Sequence, residues 1–158
     1  MNKYMKYTGI GILILIAQVT LADWIRIVNV KPDFIMLYVV YLGYREGKST
    51  GLIFGFLFGL IQDLGTASVF IGLSSLIKSI VGFGAGYLHG RFHTINPIVL
   101  YLSAVIILFV GHFLYFGIYY TDSPLGMGVI FNQYILPAFA YTTAIGSLVL
   151  LTVPVKTE

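Results

Sequence analysis

Apolar residues run in six long stretches separated by short polar connections, and the length and spacing of these stretches predict helices. The first, Tyr7 to Ala22, follows Lys3 and Lys6 and is closed by Asp23 and Trp24. A basic start, an apolar middle and Thr20-Leu21-Ala22 are also the marks of a signal peptide. An uncleaved first span is preferred, because the later stretches hold the chain in a membrane anyway and this one completes an even set. Trp24 then reads as an interfacial anchor. Arg26, Lys31 and Asp33 make a short polar connection, with Pro32 suited to a first helical turn and Asp33 to the positive end of the helix dipole. The second helix, Asp33 to about Tyr44, is short for a hydrocarbon core of about 30 Å, so tilt or partial insertion is expected. Arg45, Glu46 and Lys48 form the next turn, and Ser49 or Thr50 is placed to cap the third helix.

That third helix, GLIFGFLFGLIQD from Gly51 to Asp63, carries Gly51, Gly55 and Gly59 one turn apart. One face is therefore almost bare backbone, and the opposite face is Leu, Ile and Phe. Small residues four apart let a second helix approach closely, the usual packing solution in lipid. After the uncharged connection Gly65-Thr66-Ala67-Ser68, the fourth helix, Ile71 to Tyr87, repeats the pattern with Gly82, Gly86 and Gly90, and Gly84 between them. A tight hairpin of helices three and four is expected, and these six glycines are assigned to helix packing or partner contact. Pro97 opens the fifth helix, Ile98 to about Tyr120, with His112 in mid-span. Thr121 to Gly128 is turn-rich. The sixth, Val129 to Val153, carries Asn132, Gln133 and a mid-helix Pro137.

Composition turns helices into spans. The chain is 58% hydrophobic and 9% charged, with a mean hydropathy of +0.93; soluble domains carry about 25% charge. Residues 1–158 are expected to form a single integral, all-α, polytopic membrane domain of six spans. A five-span version with residues 33 to 63 as one broken element is the alternative. Cysteine is absent, which excludes disulfides and thiolate metal sites. Cation placement sets the topology. Lys3, Lys6, Arg45, Lys48, Arg91 and Lys156 fall on one side, Arg26 and Lys31 on the other, and Lys78 lies within a span. Both termini are expected to be cytoplasmic.

Catalytic chemistry has little purchase here. Gly43-Tyr-Arg-Glu-Gly47-Lys48-Ser49 is one residue short of a phosphate-binding loop and joins two helices, where that loop needs a strand and a helix. His89 and His93 stand four apart, but the residues between them include Arg91 and no carboxylate, so a metal site is not expected. Ser74, Ser75 and Ser79 have no adjacent base, and Gly82-Phe-Gly84-Ala-Gly86 lies too deep in an apolar helix to bind a dinucleotide. No enzymatic activity, cofactor or nucleic-acid partner is expected. Asp63 and Lys78 are more informative, since a carboxylate and an ammonium among membrane-depth residues are expensive. A hairpin brings them together as an intramembrane polar pair, serving either structure or a ligand or partner.

Several stretches in order resemble the MreD family of rod shape-determining proteins. They are Pro32-Asp33 opening a short apolar helix, Gly51 to Asp63 with its glycines, Gly72-Leu73, Gly86-Tyr87-Leu88-x-Gly90-Arg91, and Gln133 to Pro137 followed by Tyr141. The chain departs from the family pattern at Lys78, where an apolar residue is expected, and at Tyr141-Thr142, where the family often has Tyr-Asn. The resemblance implies a non-catalytic scaffold of the cell-elongation machinery in the bacterial inner membrane. Its implied partners are the single-span protein MreC and, indirectly, the MreB filament, RodA and a class B penicillin-binding transpeptidase in lateral peptidoglycan synthesis. The family is similar in architecture to the S-components of energy-coupling-factor vitamin transporters, so a small-molecule-binding subunit is the alternative. S-components often carry AxxxA on the first helix; here Gly9 and Gly11 are two apart and no AxxxA is present.

Overall fold

The computed structural model describes residues 3–26, 30–66, 70–90 and 96–152. Ala67, Ser68, Arg91, His93 and Lys156, to which roles were assigned above, lie outside them. Every regular element among the described residues is helical: α1 (Lys3–Trp24), α2 (Phe34–Glu46), α3 (Lys48–Gly65), α4 (Leu73–Ala85, continued by a 3-10 turn, Gly86–Leu88), α5 (Pro97–Tyr119) and α6. Helix α6 is made of Met127–Ile130, a π-helical segment Phe131–Ile135, and Leu136–Thr152.

Local chemistry sets most of these boundaries. The Asp33 carboxylate accepts the Met36 N–H (2.8 Å) and starts α2. Asn96 does the same for α5 through Ile98 N–H (2.9 Å), with Pro97 at the first helical position. Helices α2 and α3 are joined by one residue, Gly47, whose φ of 93° and ψ of 179° suit glycine alone. Its N–H closes α2 on the Gly43 carbonyl (2.9 Å), and its own carbonyl accepts the Gly51 N–H (3.0 Å). The expected Ser49 or Thr50 cap is therefore replaced by a backbone turn at Gly47, two residues before Ser49. In α6, Pro137 has no N–H and crowds the turn before it. The chain answers with wider i→i−5 bonding, Leu136 N–H reaching the Phe131 carbonyl.

Helix α2 is the centre of the bundle. Its 13 residues reach about 20 Å at 1.5 Å each, short of a core of about 30 Å. It need not span unaided, because α1, α3, α4, α5 and α6 all contact it. Ile35, Tyr38, Val39 and Leu42 pack with Tyr7, Leu15, Phe54 and Phe58 in one apolar cluster. Met36, Val40 and Tyr44 face a second, with Ile77, Val81, Ala85 and Leu108.

The most extensive helix contact is α3 on α4. Gly51 lies on the backbone of Gly82, Gly55 on that of Lys78 and Ser79, Gly59 on that of Ser75, and Gly86 on that of Lys48. A Cβ at Gly59 would sit 2.5 Å from Ser75 Cα, so the approach requires its absence. Gly90 follows the 3-10 turn, and a Cβ there would meet no described residue.

The periphery is apolar. Helices α1 and α5 are long and apolar enough to cross a membrane, and only 28% and 17% of their most apolar stretches are buried. Apolar helices that leave most of their surface uncovered fit lipid, not water.

Candidate functional site

The polar residues that the apolar stretches carry in mid-span converge at the N-terminus of α2. Gln18 on α1 is buried and holds both sides of the chain reversal: its Nε2 donates to the Pro32 carbonyl (2.9 Å) and its Oε1 accepts the Phe34 N–H (2.7 Å). Asp33 uses one carboxylate oxygen to cap α2, and the other accepts from Lys78 Nζ at 2.7 Å. Its backbone N–H donates to Thr142 Oγ1 (3.2 Å), and Thr142 in turn lies 3.3 Å from His112 Nε2. His112 Nδ1 faces the Leu108 carbonyl at 2.8 Å. A carbonyl only accepts, so the neutral imidazole carries its proton on Nδ1 and takes the Thr142 hydroxyl proton on Nε2. Helices α4 and α6 thus bond Asp33 at the start of α2, with α5 joined through Thr142 and α1 through the backbone on either side of Asp33.

The expected pair of Asp63 with Lys78 is corrected by this arrangement. Asp63 Oδ2 accepts the N–H groups of Gly72 (2.8 Å) and Ser74 (3.1 Å), capping α4 from the end of α3. Two amides at the positive end of a helix dipole satisfy a carboxylate without a cation. Gly72 has a φ of 100°, which aims its N–H back at Asp63. The backbone of Lys78 lies on Gly55 of α3. Its side chain, 1% exposed, extends to Asp33 at the N-terminus of α2. Both charges are buried, each with its own partner.

A cavity of about 170 Å³ opens beside Asp33, whose side chain keeps 17% of its exposure. Gln18, Gln62, Ser74, His112 and Tyr115 line it, and Arg26 and Lys31 stand in the connection beside it. The side-chain oxygen of Gln62 is buried without a hydrogen-bond partner among the described residues. A buried acceptor left unpaired costs about 1–3 kcal/mol, so this one calls for a donor.

The opposite end of the bundle is built differently. Lys3 pairs with Glu46 at 2.8 Å, Tyr7 donates to Glu46 at 2.6 Å, and Lys48 Nζ lies 3.4 Å from the centre of the Tyr87 ring. His89 Nδ1 meets the Tyr44 carbonyl (3.2 Å). Among the described residues no group of three His, Asp or Glu side chains is placed to hold a metal ion.

Sequence reasoning placed Pro32 and Asp33 in the first turn of α2, with Asp33 at the positive end of its dipole, whereas Asp33 is the residue that caps the helix and Pro32 precedes it. Gln18 and Thr142 were given no role. The available signal was a lone polar residue inside an apolar stretch, which at membrane depth marks an internal contact. The two positions at which the chain departs from the expected pattern, Lys78 and Thr142, both touch Asp33.

Residues 5–154 match the family described as rod shape-determining protein MreD. No curated protein and no solved structure matches the chain. The match covers nearly the whole sequence, and the chain belongs to the MreD family: it is a rod shape-determining membrane protein.

Proposed function

We propose that this member of the MreD family is a non-catalytic scaffold of the bacterial cell-elongation machinery. In this reading residues 1–158 form one integral domain of six spans in the inner membrane, with both termini cytoplasmic and an architecture like that of the S-components. It holds the single membrane helix of MreC and, through it, serves the MreB filament, RodA and a class B penicillin-binding transpeptidase. The orientation is supported by Lys3, Lys6, Arg45 and Lys48 at one end of the bundle, against Arg26 and Lys31 at the other.

The observation that carries the scaffold reading beyond the family is the division of the surface. Charged side chains at membrane depth are turned inward, while the outer faces of the helices are apolar. Recognition of a partner then takes place within the membrane, between apolar helix faces. The glycine faces are already taken by the α3–α4 contact. The MreC helix is therefore assigned to the outer face of α3, where Ile53, Phe56, Leu57, Ile61 and Leu64 are exposed.

Co-expression with MreC and an energy-coupling-factor core as competitor, followed by purification in detergent, tests this. MreC should be retained, and lost when Phe56 and Leu57 are both replaced by Ala. The same change at Leu102 and Ile106, on the exposed side of α5, should leave it bound. Equal retention by both variants removes α3 as the contact. Retention of the transporter core without MreC overturns the scaffold in favour of a small-molecule-binding subunit.

A further inference from the structure

We propose that the cavity beside Asp33 binds a phosphate ester that carries hydroxyl groups, either free in solution or as the head group of an anionic lipid. The cavity lies at the end of the bundle where α2 and α4 begin, away from the Lys3–Glu46 pair. Asp33, its one carboxylate among the described residues, is neutralised by Lys78, and the guanidinium of Arg26 at its edge sets its preference. Arg26 is exposed and makes no ion pair with a described residue. A guanidinium at the mouth of a cavity suits the oxygens of a phosphate, which it can bind through two parallel hydrogen bonds.

The inner wall asks for the other half of the ligand. The Gln62 side-chain oxygen is buried with no hydrogen-bond partner among the described residues, and accepts a hydrogen bond from any hydroxyl that reaches it. Ser74 and Tyr115 add hydroxyls of their own, while Val30, Met36 and Phe116 supply apolar wall. A volume of about 170 Å³ has room for roughly six waters at about 30 Å³ each. This suits a glycerol phosphate group and is too small for a sugar nucleotide. Phosphatidylglycerol presents that group at the end of acyl chains, and glycerol 3-phosphate presents it in water.

The test uses the full chain in nanodiscs of equal parts phosphatidylglycerol and phosphatidylcholine, with native mass spectrometry of retained lipid. Saturation binding of radiolabelled glycerol 3-phosphate is run in parallel on protein in detergent. Variants are Arg26→Ala, Gln62→Leu and, as a control at the other end, Lys3→Ala. Selective retention of phosphatidylglycerol, reduced at least tenfold by Arg26→Ala and Gln62→Leu but not by Lys3→Ala, establishes the head-group form. Saturable binding of glycerol 3-phosphate with the same variant pattern establishes the free form. Equal retention of both lipids with no saturable binding overturns the site, as does equal loss in all three variants. Arg26 is exposed and outside the packed core, so its replacement reads the site and not the fold. MreC retention, measured on the same preparations, reports separately on the scaffold reading.

Discussion

Helix α2 carries a lysine–carboxylate pair near each end, and the two contacts are nearly identical in length. Lys3 meets Glu46 at 2.8 Å, and Lys78 meets Asp33 at 2.7 Å. Their surroundings differ. The carboxylates are alike, Glu46 13% and Asp33 17% exposed, but the Lys3 side chain is 58% exposed and that of Lys78 is 1% exposed. In water an ion pair gains little, because solvent screens each charge and the side chains lose freedom in meeting. Out of water neither charge is tolerable alone, so the pair is obligatory even where its net contribution is small. Distance therefore says little about what a pair does; the solvent around it decides. The outer pair is a dispensable fastening, and the inner one is a condition for α4 to lie against α2.

The largest break in this comparison should come from Gly55→Leu. Gly55 lies on the backbone of Lys78, so a leucine there pushes α4 away and carries the lysine from Asp33. Loss of monodisperse protein in detergent is expected, and a wild-type elution profile would show that the helices separate without harm.

Lys78→Met comes next, since it leaves the largely buried Asp33 without a cation; breaking a buried pair costs about 3–5 kcal/mol. Asp33→Asn combined with Lys78→Met should recover most of the loss, because Asn still caps α2. Thermal melts of the single and double variants give the comparison, and a double variant as unstable as Lys78→Met alone would refute it.

Asp63→Ala removes a cap that accepts two backbone amides, for which about 1–2 kcal/mol is expected. Asp63→Asn should cost less than Asp63→Ala, and equal melts for the two would mean that the capping bonds contribute nothing. The smallest effect belongs to Lys3→Ala. Its melting temperature should match wild type, and raising the salt concentration should change neither protein's melt relative to the other.

Much of this architecture is local and was legible in the residues. Six apolar stretches became six helices, Asp33 stood at the positive end of the α2 dipole and Pro97 opened α5, as each depends on chemistry within a few positions of the chain. The glycines four apart in α3 read as a bare face for the same reason, since helical periodicity alone puts them on one side. Gly90 kept the spacing but lay past the end of its helix, where periodicity no longer applies.

The choice of partners is another matter. Asp63 and Lys78 are near in sequence, whereas Asp33 and Lys78 are 45 residues apart. Which carboxylate the lysine meets depends on the height at which α2 begins beside α4, and on whether Asp63 is already satisfied by the amides that start α4. Nor does the short length of α2 say whether it lies at an edge or at the centre; the five helices packed around it decide that. Sequence alone determined which segments are helical, which faces are bare and that buried charges need counterparts, because these follow from backbone geometry and the cost of desolvation. Only the tertiary structure decided which charges pair and where the bundle leaves a cavity, because both depend on the relative heights and tilts of helices remote in the chain.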